Sequence, residues 1–341
     1  MSLRKLPKIK LPKRNNSSYD VITVGSGTVD VFVNTDAEFI KKGNPLHAQE
    51  LMAYPVGSKL LIDNLRFEIG GGGTNTAVAF ARFGLKTGWI GSVGKCENSK
   101  NIIDLLNKEK IDFLGRLGNG FAGYSVILDS VGHDRTILTF KGENNNLKFS
   151  DIPKTRLKTK WFYFCSMVGT SFTTQKQLAR YAGKNKIKLA FNPSSYQAKL
   201  GTKALRPILK NSDLLVVNKE EAGYLVGHTE IETMMQRLHE EGPGLVIITD
   251  GQTGAYCSTG DTILKAIPRN VRMKETTGAG DAFASSFLGA YMKTEDIRLS
   301  LKLATTNAQS VIQYYGAKNI LLTWKDAIAT EKKKKIMVTT P

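Results

Sequence analysis

Short apolar runs alternate with helix-period patterns through the second half of this chain, and that alternation restricts the fold more than any other feature. The runs are WFYFCSM, IKLAFNP, LLVVN, LVIITDG and AYCSTG, starting at Trp161, Ile187, Leu214, Leu245 and Ala255. Helical patterns lie between several of them, at Lys176–Lys184, Glu220–Val226 and Glu232–Glu241. A near-continuous apolar run suits a strand buried on both faces. Strands joined by helices run parallel, with the helices covering the sheet.

The first half begins in the same way. Asp20–Gly25 (DVITVG) reads as a buried strand, Thr74–Phe83 as a helix closed by Gly84, Thr87–Gly91 as a strand and Asn98–Lys110 as a helix. Two segments break the order. Residues 56–69 alternate polar and apolar, and 122–142 read as a hairpin about Val131–Asp134. They predict an antiparallel flap, with lid strands at roughly 31–68 and 120–142. Two long helices, 281–293 and 296–315, follow. At 341 residues the chain suits one α/β domain, residues 19–325, with a central mostly parallel sheet flanked by helices and a small β-sheet lid.

The net charge of +18 first suggests a nucleic-acid partner. Its placement points elsewhere. Residues 1–14 hold six Lys/Arg and no acid, and Lys332–Lys335 add four, so these ten leave 18 − 10 = +8 for the rest. Residues 1–18 and 326–341 are therefore expected to be basic tails, the first disordered, and nucleic acid is not the expected partner. The sequence shows no apolar run of membrane-spanning length and no signal-peptide core. Cys96, Cys165 and Cys257 are scattered, which suits a reducing cytoplasm.

The stretch Glu275-Thr276-Thr277-Gly278-Ala279-Gly280-Asp281 carries the chemistry. Two glycines separated by a small residue stand directly before an apolar-periodic helix. Such a loop presents backbone N–H groups and a helix N-terminus to one anion, and places Asp281 beside it. Phosphoryl transfer needs this pairing: donors on the phosphate, and a carboxylate to accept the proton of the attacking hydroxyl. The same residues also suit a plain glycine turn with a capping Asp. Gly25–Asp30 begins like a dinucleotide fingerprint, but Asp30 stands at the third glycine and no helix follows. The P-loop pattern is absent.

Glu275–Asp281 resembles the C-terminal signature of the ribokinase-like (PfkB) carbohydrate kinases, and Gly70-Gly71-Gly72-Gly73-Thr74-Asn75-Thr76-Ala77 is similar to their N-terminal signature. The resemblance covers roughly residues 19–325. It implies an ATP-dependent kinase of a monosaccharide such as ribose, fructose or 2-keto-3-deoxygluconate, with a nucleoside kinase on the same fold as the alternative. It implies that Asp281 is the base and that Gly278, Ala279 and Gly280 form the anion-binding turn. Asp30, at the end of the first strand, with Gly70, Gly71 and Asn75, would bind the acceptor. Asn218, Glu221, Thr249, Gly251 and Asn307 would bind ATP, with Glu221 meeting Mg²⁺ through water. For a nucleoside, Tyr54, Phe67, Phe121 and Tyr124 would be candidates to contact the base.

Two departures from the family pattern stand out. Glu275 replaces the Asp that, with Thr277, marks a monovalent-cation site in many members, and its extra methylene counts against activation by K⁺. Gly142-Glu143-Asn144 replaces GAN, and Glu143 is expected on a solvated turn. Leu60, Ile62, Leu65 and Val126 on the flap suggest a homodimer formed through the lid.

Overall fold

The protein was described from a computed structural model covering residues 9, 18–34, 38–42, 49–62, 64–129 and 136–341. Most of the expected N-terminal tail, residues 1–18, and the turn Val131–Asp134 lie outside the described residues.

Side-chain alternation along the apolar runs builds two cores on opposite faces of one sheet. In Tyr19–Val24, Ile22 and Val24 join one core while Val21 joins the other. In Thr159–Cys165, Phe162 and Phe164 face the first, and Trp161, Tyr163 and Cys165 the second. Helices Gly169–Lys184, Gly201–Leu209, Lys219–Val226 and Ile231–Glu240 supply side chains to the first core. Helices Gly72–Arg82, Ala279–Thr294 and Ile297–Val311 supply the second. Residues 282–290 in Ala279–Thr294 are all buried, because this helix is apolar around its circumference.

Among the described residues the main sheet has ten strands. Seven run parallel, in the order Leu245–Thr249, Leu214–Asn218, Lys188–Asn192, Thr159–Cys165, Tyr19–Val24, Thr87–Ile90 and Asp112–Phe113. Beyond Leu245–Thr249 the strands Ala255–Ser258, Ile263–Ile267 and Met337–Thr339 continue antiparallel.

The expected C-terminal tail is therefore corrected. Residues 326–341 include most of helix Trp324–Lys333, capped by the Thr323 hydroxyl, and the edge strand Met337–Thr339. Ala327 and Ile336 are buried, while Lys332–Lys335 stay exposed from the helix end toward the strand and so do not prevent the segment from docking.

The lid is a separate four-stranded sheet in the order Thr136–Phe140, Gly123–Asp129, Thr28–Asn34, Asn64–Gly70. It is mixed rather than wholly antiparallel, since Thr28–Asn34 and Gly123–Asp129 run parallel. Of the polar-apolar run 56–69, only Asn64 onward forms a strand. The lid begins early in the chain. A Cβ on Gly25 would stand 2.8 Å from Cys165 Cβ and 2.9 Å from Gly73, so the backbone passes tightly there before leaving the main sheet. Asp30 consequently sits inside the lid strand Thr28–Asn34, opposite Glu68 and Ser125, and not at the end of the first strand. No helix among the described residues is long and apolar enough to cross a membrane.

Candidate active site

A cleft of about 580 Å³ opens where the parallel strands end, lined among others by Gly72, Asn218, Glu221, Gly278, Gly280 and Asp281. Ligands of open α/β sheets bind at this edge.

The turn before helix Ala279–Thr294 explains its own sequence. Gly278 adopts φ 81, and a Cβ there would stand 2.3 Å from Ala317 Cβ, so glycine is required. Gly280 differs: a Cβ would meet nothing within 4 Å, because the position faces the cleft. Ala279 N–H donates back to Thr276 O at 3.2 Å, which leaves the amides of Gly280 and Asp281 as the first-turn donors toward an anion.

Asp281, partly accessible from the cleft, is met from the opposite side by the other glycine-rich segment. Asn75 Nδ2 donates to Asp281 Oδ2 at 2.7 Å, joining residues 206 apart in sequence. Asn75 was expected to bind acceptor. Its amide is instead engaged at both ends, since Oδ1 accepts a bond from the Lys318 ammonium. That ammonium also donates to Ile69 O. Burial raises the Asp281 pKa, while the Asn75 bond and the Lys318 charge oppose the rise. Burial pushes Lys318 down to about 8, against the attraction of Asp30 and Asp281. Sequence reasoning missed Lys318. A single lysine after Gly316-Ala317 has no periodic or motif signal, and only its place in the fold makes it part of the site.

Asp30 is buried and accepts the Thr28 hydroxyl at 2.8 Å. A Cβ on Gly70 would fall 1.7 Å from Asp30 Oδ2, so Gly70 keeps the space that this carboxylate occupies. Gly71, at φ 90, sits against Ser26 O. These three residues and Asn75 do not line the open cleft; they form the buried ground beside it.

On the far wall, Asn218 and Glu221 form a capping box. Asn218 Oδ1 accepts Glu221 N–H at 2.8 Å, and Glu221 Oε2 accepts Asn218 N–H at 3.1 Å. The cap fixes both side chains on the cleft wall. Burial raises the Glu221 pKa to about 7.

Thr249 lines the cleft, whereas Gly251 is exposed at φ 50 and does not. Asn307 is corrected. It is fully buried, donating to Ser286 Oγ at 2.7 Å and accepting Leu322 N–H at 2.9 Å, so its polar atoms fasten protein segments together rather than face a nucleotide.

Glu143 is corrected as well. It is 6% exposed, accepts Gly120 N–H at 2.9 Å and lies 3.8 Å from Arg116 Nε, so it braces the 118–120 loop instead of meeting solvent. Glu275 Oε2 accepts Gly316 N–H at 3.0 Å, while Glu275 Oε1 and Thr277 Oγ1 are buried without a partner among the described residues.

Among those residues no group of three or more His, Cys, Asp or Glu is placed to hold a metal ion. A magnesium ion would therefore depend on ligand phosphates and water, with Glu221 meeting it through one of those waters.

The pattern of the pfkB family carbohydrate kinases matches residues 47–324. The chain is 27% identical over 248 residues to an uncharacterised sugar kinase of Archaeoglobus fulgidus, covering 71% of this chain and 97% of that one. It superposes on a ribokinase of Thermotoga maritima with TM-score 0.78 at 20% identity, over 92% and 99% of the two chains. It superposes on a nucleoside kinase of Methanocaldococcus jannaschii with TM-score 0.75 at 20% identity, over 93% and 100%. These two superpositions show a common fold.

Proposed function

The chain belongs to the pfkB family of carbohydrate kinases, and from that premise we propose that it transfers the γ-phosphate of ATP to a hydroxyl of a monosaccharide, with Asp281 as the base. The contact between Asn75 and Asp281 carries this reading. It draws both glycine-rich segments onto one carboxylate, and chance capped turns have no reason to meet.

In this mechanism Asp30 accepts hydrogen bonds from acceptor hydroxyls, which suits a polyol. Asp281 takes the proton of the attacking hydroxyl. The amides of Gly280 and Asp281 hold the oxygens of the transferring phosphoryl group as its charge shifts. Asn218, Glu221 and Thr249 face the nucleotide. Magnesium, when bound with ATP, neutralises phosphate charge, and Glu221 would contact it through water. Against the expectation drawn from the extra methylene of Glu275, its Oε1 and Thr277 Oγ1 are unpaired among the described residues and could serve a monovalent cation.

The Asp30 carboxylate on the lid supports a hydroxyl-bearing acceptor, and the aromatic candidates Tyr54, Phe67, Phe121 and Tyr124 keep a nucleoside as the alternative that the panel below tests. Leu65, Phe67, Ile137, Leu138 and Phe140 leave the lid with exposed apolar side chains, which supports a homodimer through it. A monomer mass by light scattering would remove that part of the proposal.

The decisive experiment is ADP release on a panel of sugars and nucleosides, with the Asp281→Asn variant beside the wild type. Turnover should fall about 10²–10⁴-fold while ATP binding persists. Undiminished turnover in the variant would refute Asp281 as base.

A further inference from the structure

We propose that the acceptor carries an oxyanionic group, a carboxylate or a phosphate, bound by Lys141 on the lid side of the cleft. The inference rests on the kinase reading above and narrows its acceptor.

Lys141 directly follows the lid strand Thr136–Phe140 and lines the cleft. Among the described residues it is the one cationic side chain that lines the cleft, whose carboxyls are those of Glu221 and Asp281. It forms no ion pair with a described carboxylate. Its one described contact of charge is with the Tyr196 ring, whose centroid lies 5.1 Å from Nζ. The acid nearest in sequence, Glu143, turns away to Gly120 and Arg116. Burial lowers the Lys141 pKa, and the opposing influence comes from Asp30.

A half-buried ammonium with no carboxylate partner among the described residues is costly unless a countercharge is supplied, and a ligand in the cleft can supply it. Asn145, four residues on and on the same wall, keeps Oδ1 buried without a partner among the described residues, so its amide has hydrogen-bonding capacity left for a ligand. Lysine supplies the charge for an oxyanion, and the amide a second polar contact for the same molecule. The lid register places the cation toward the acceptor end: Asp30, Ser125 and Thr139 are partners across three neighbouring strands, and Lys141 stands two residues beyond Thr139, on the same side of the lid as Asp30. An acceptor with hydroxyls against Asp30 and an oxyanion against Lys141 satisfies both charges at once.

The test compares ribose, fructose, adenosine, 2-keto-3-deoxygluconate and fructose 6-phosphate, by ADP release and by calorimetric binding without ATP. Wild type is set beside Lys141→Met, Lys141→Gln and Lys141→Arg. One anionic acceptor should be preferred, the carboxylate and phosphate arms saying which. Its KM should rise about 10- to 100-fold in Lys141→Met or Lys141→Gln, recover in Lys141→Arg, and leave the KM for ATP unchanged. Preference for a neutral sugar or adenosine overturns the inference and leaves the kinase reading intact. A uniform loss across all acceptors, or a raised KM for ATP, also overturns it, assigning Lys141 to the transferred phosphate. Anionic binding that depends on Lys141 without any turnover supports the inference and refutes the kinase reading. Absence of binding by every anionic compound overturns it.

Discussion

Replacing Gly70 with alanine should separate acceptor binding from folding. A Cβ at Gly70 would stand 1.7 Å from Asp30 Oδ2, 2.4 Å from its Cγ and 2.9 Å from Thr28 Oγ1. The obstructing atoms are a side-chain carboxylate and a hydroxyl, so Asp30 can swing aside without moving the backbone. Gly70 has no left-handed φ, so alanine fits its main chain. Losing the Thr28–Asp30 bond costs about 1 kcal/mol of stability, or roughly 1–2 °C in Tm for a chain of this size. The functional cost is larger. A charged hydrogen bond contributes about 1.5–3 kcal/mol, so a displaced Asp30 should raise the acceptor KM roughly 10- to 100-fold. The KM for ATP should not change. Gly71→Ala is the contrast, because Gly71 needs φ 90 and its Cβ would press on Ser26 O at 2.6 Å, so folding itself should suffer. Steady-state kinetics in both substrates, with thermal melts, decide the matter. If folded Gly70→Ala keeps its acceptor KM within twofold, or if the KM for ATP rises in step, Asp30 does not hold the acceptor.

Lys318 makes stability depend on pH. Its folded pKa of about 8 lies below its ordinary 10.5, so between those values the unfolded chain binds more protons and stability rises with pH. From pH 7.5 to 10, wild type should gain roughly 2–3 kcal/mol over Lys318→Met in urea unfolding, and a constant difference would contradict the desolvated charge. The unpaired oxygens of Glu275 and Thr277 predict that exchanging K⁺ for tetramethylammonium lowers kcat severalfold. Equal rates in the two salts would mean that these oxygens hold no cation.

The main sheet was legible from sequence because its strands are apolar on both faces and their alternation with helices admits one arrangement. The two glycine-rich loops were legible because their glycines answer to backbone demands, at Gly278 and Gly71, that no other residue meets. What escaped was non-local. Glu143 reads as a turn residue until the loop 118–120 closes over it. Asn307 looks like a helix polar position until Ser286 and Leu322 claim both its polar ends. The C-terminal strand Met337–Thr339 is only three residues long, and nothing in MVT announces that Ile263–Ile267 has an open edge to receive it.

The bond from Lys318 to Ile69 O lies at the foot of a lid strand, where Asn64–Gly70 runs into helix Gly72–Arg82. The last side chain of that helix, Arg82, holds the carbonyls of Lys318 and Leu321 at 2.7 and 3.3 Å. The lid is thus fixed at its root like a cantilever, with the rim strand Thr136–Phe140 as its free end. A swing of the rim would admit or release ligand while the root kept Gly70, and with it Asp30, in register with Asp281. Amide hydrogen exchange should report this as a gradient, slow at the root strand Asn64–Gly70 and fast along Thr136–Phe140. Uniform exchange over the two strands would mean that the lid moves as one plate and that the base must be realigned at each turnover.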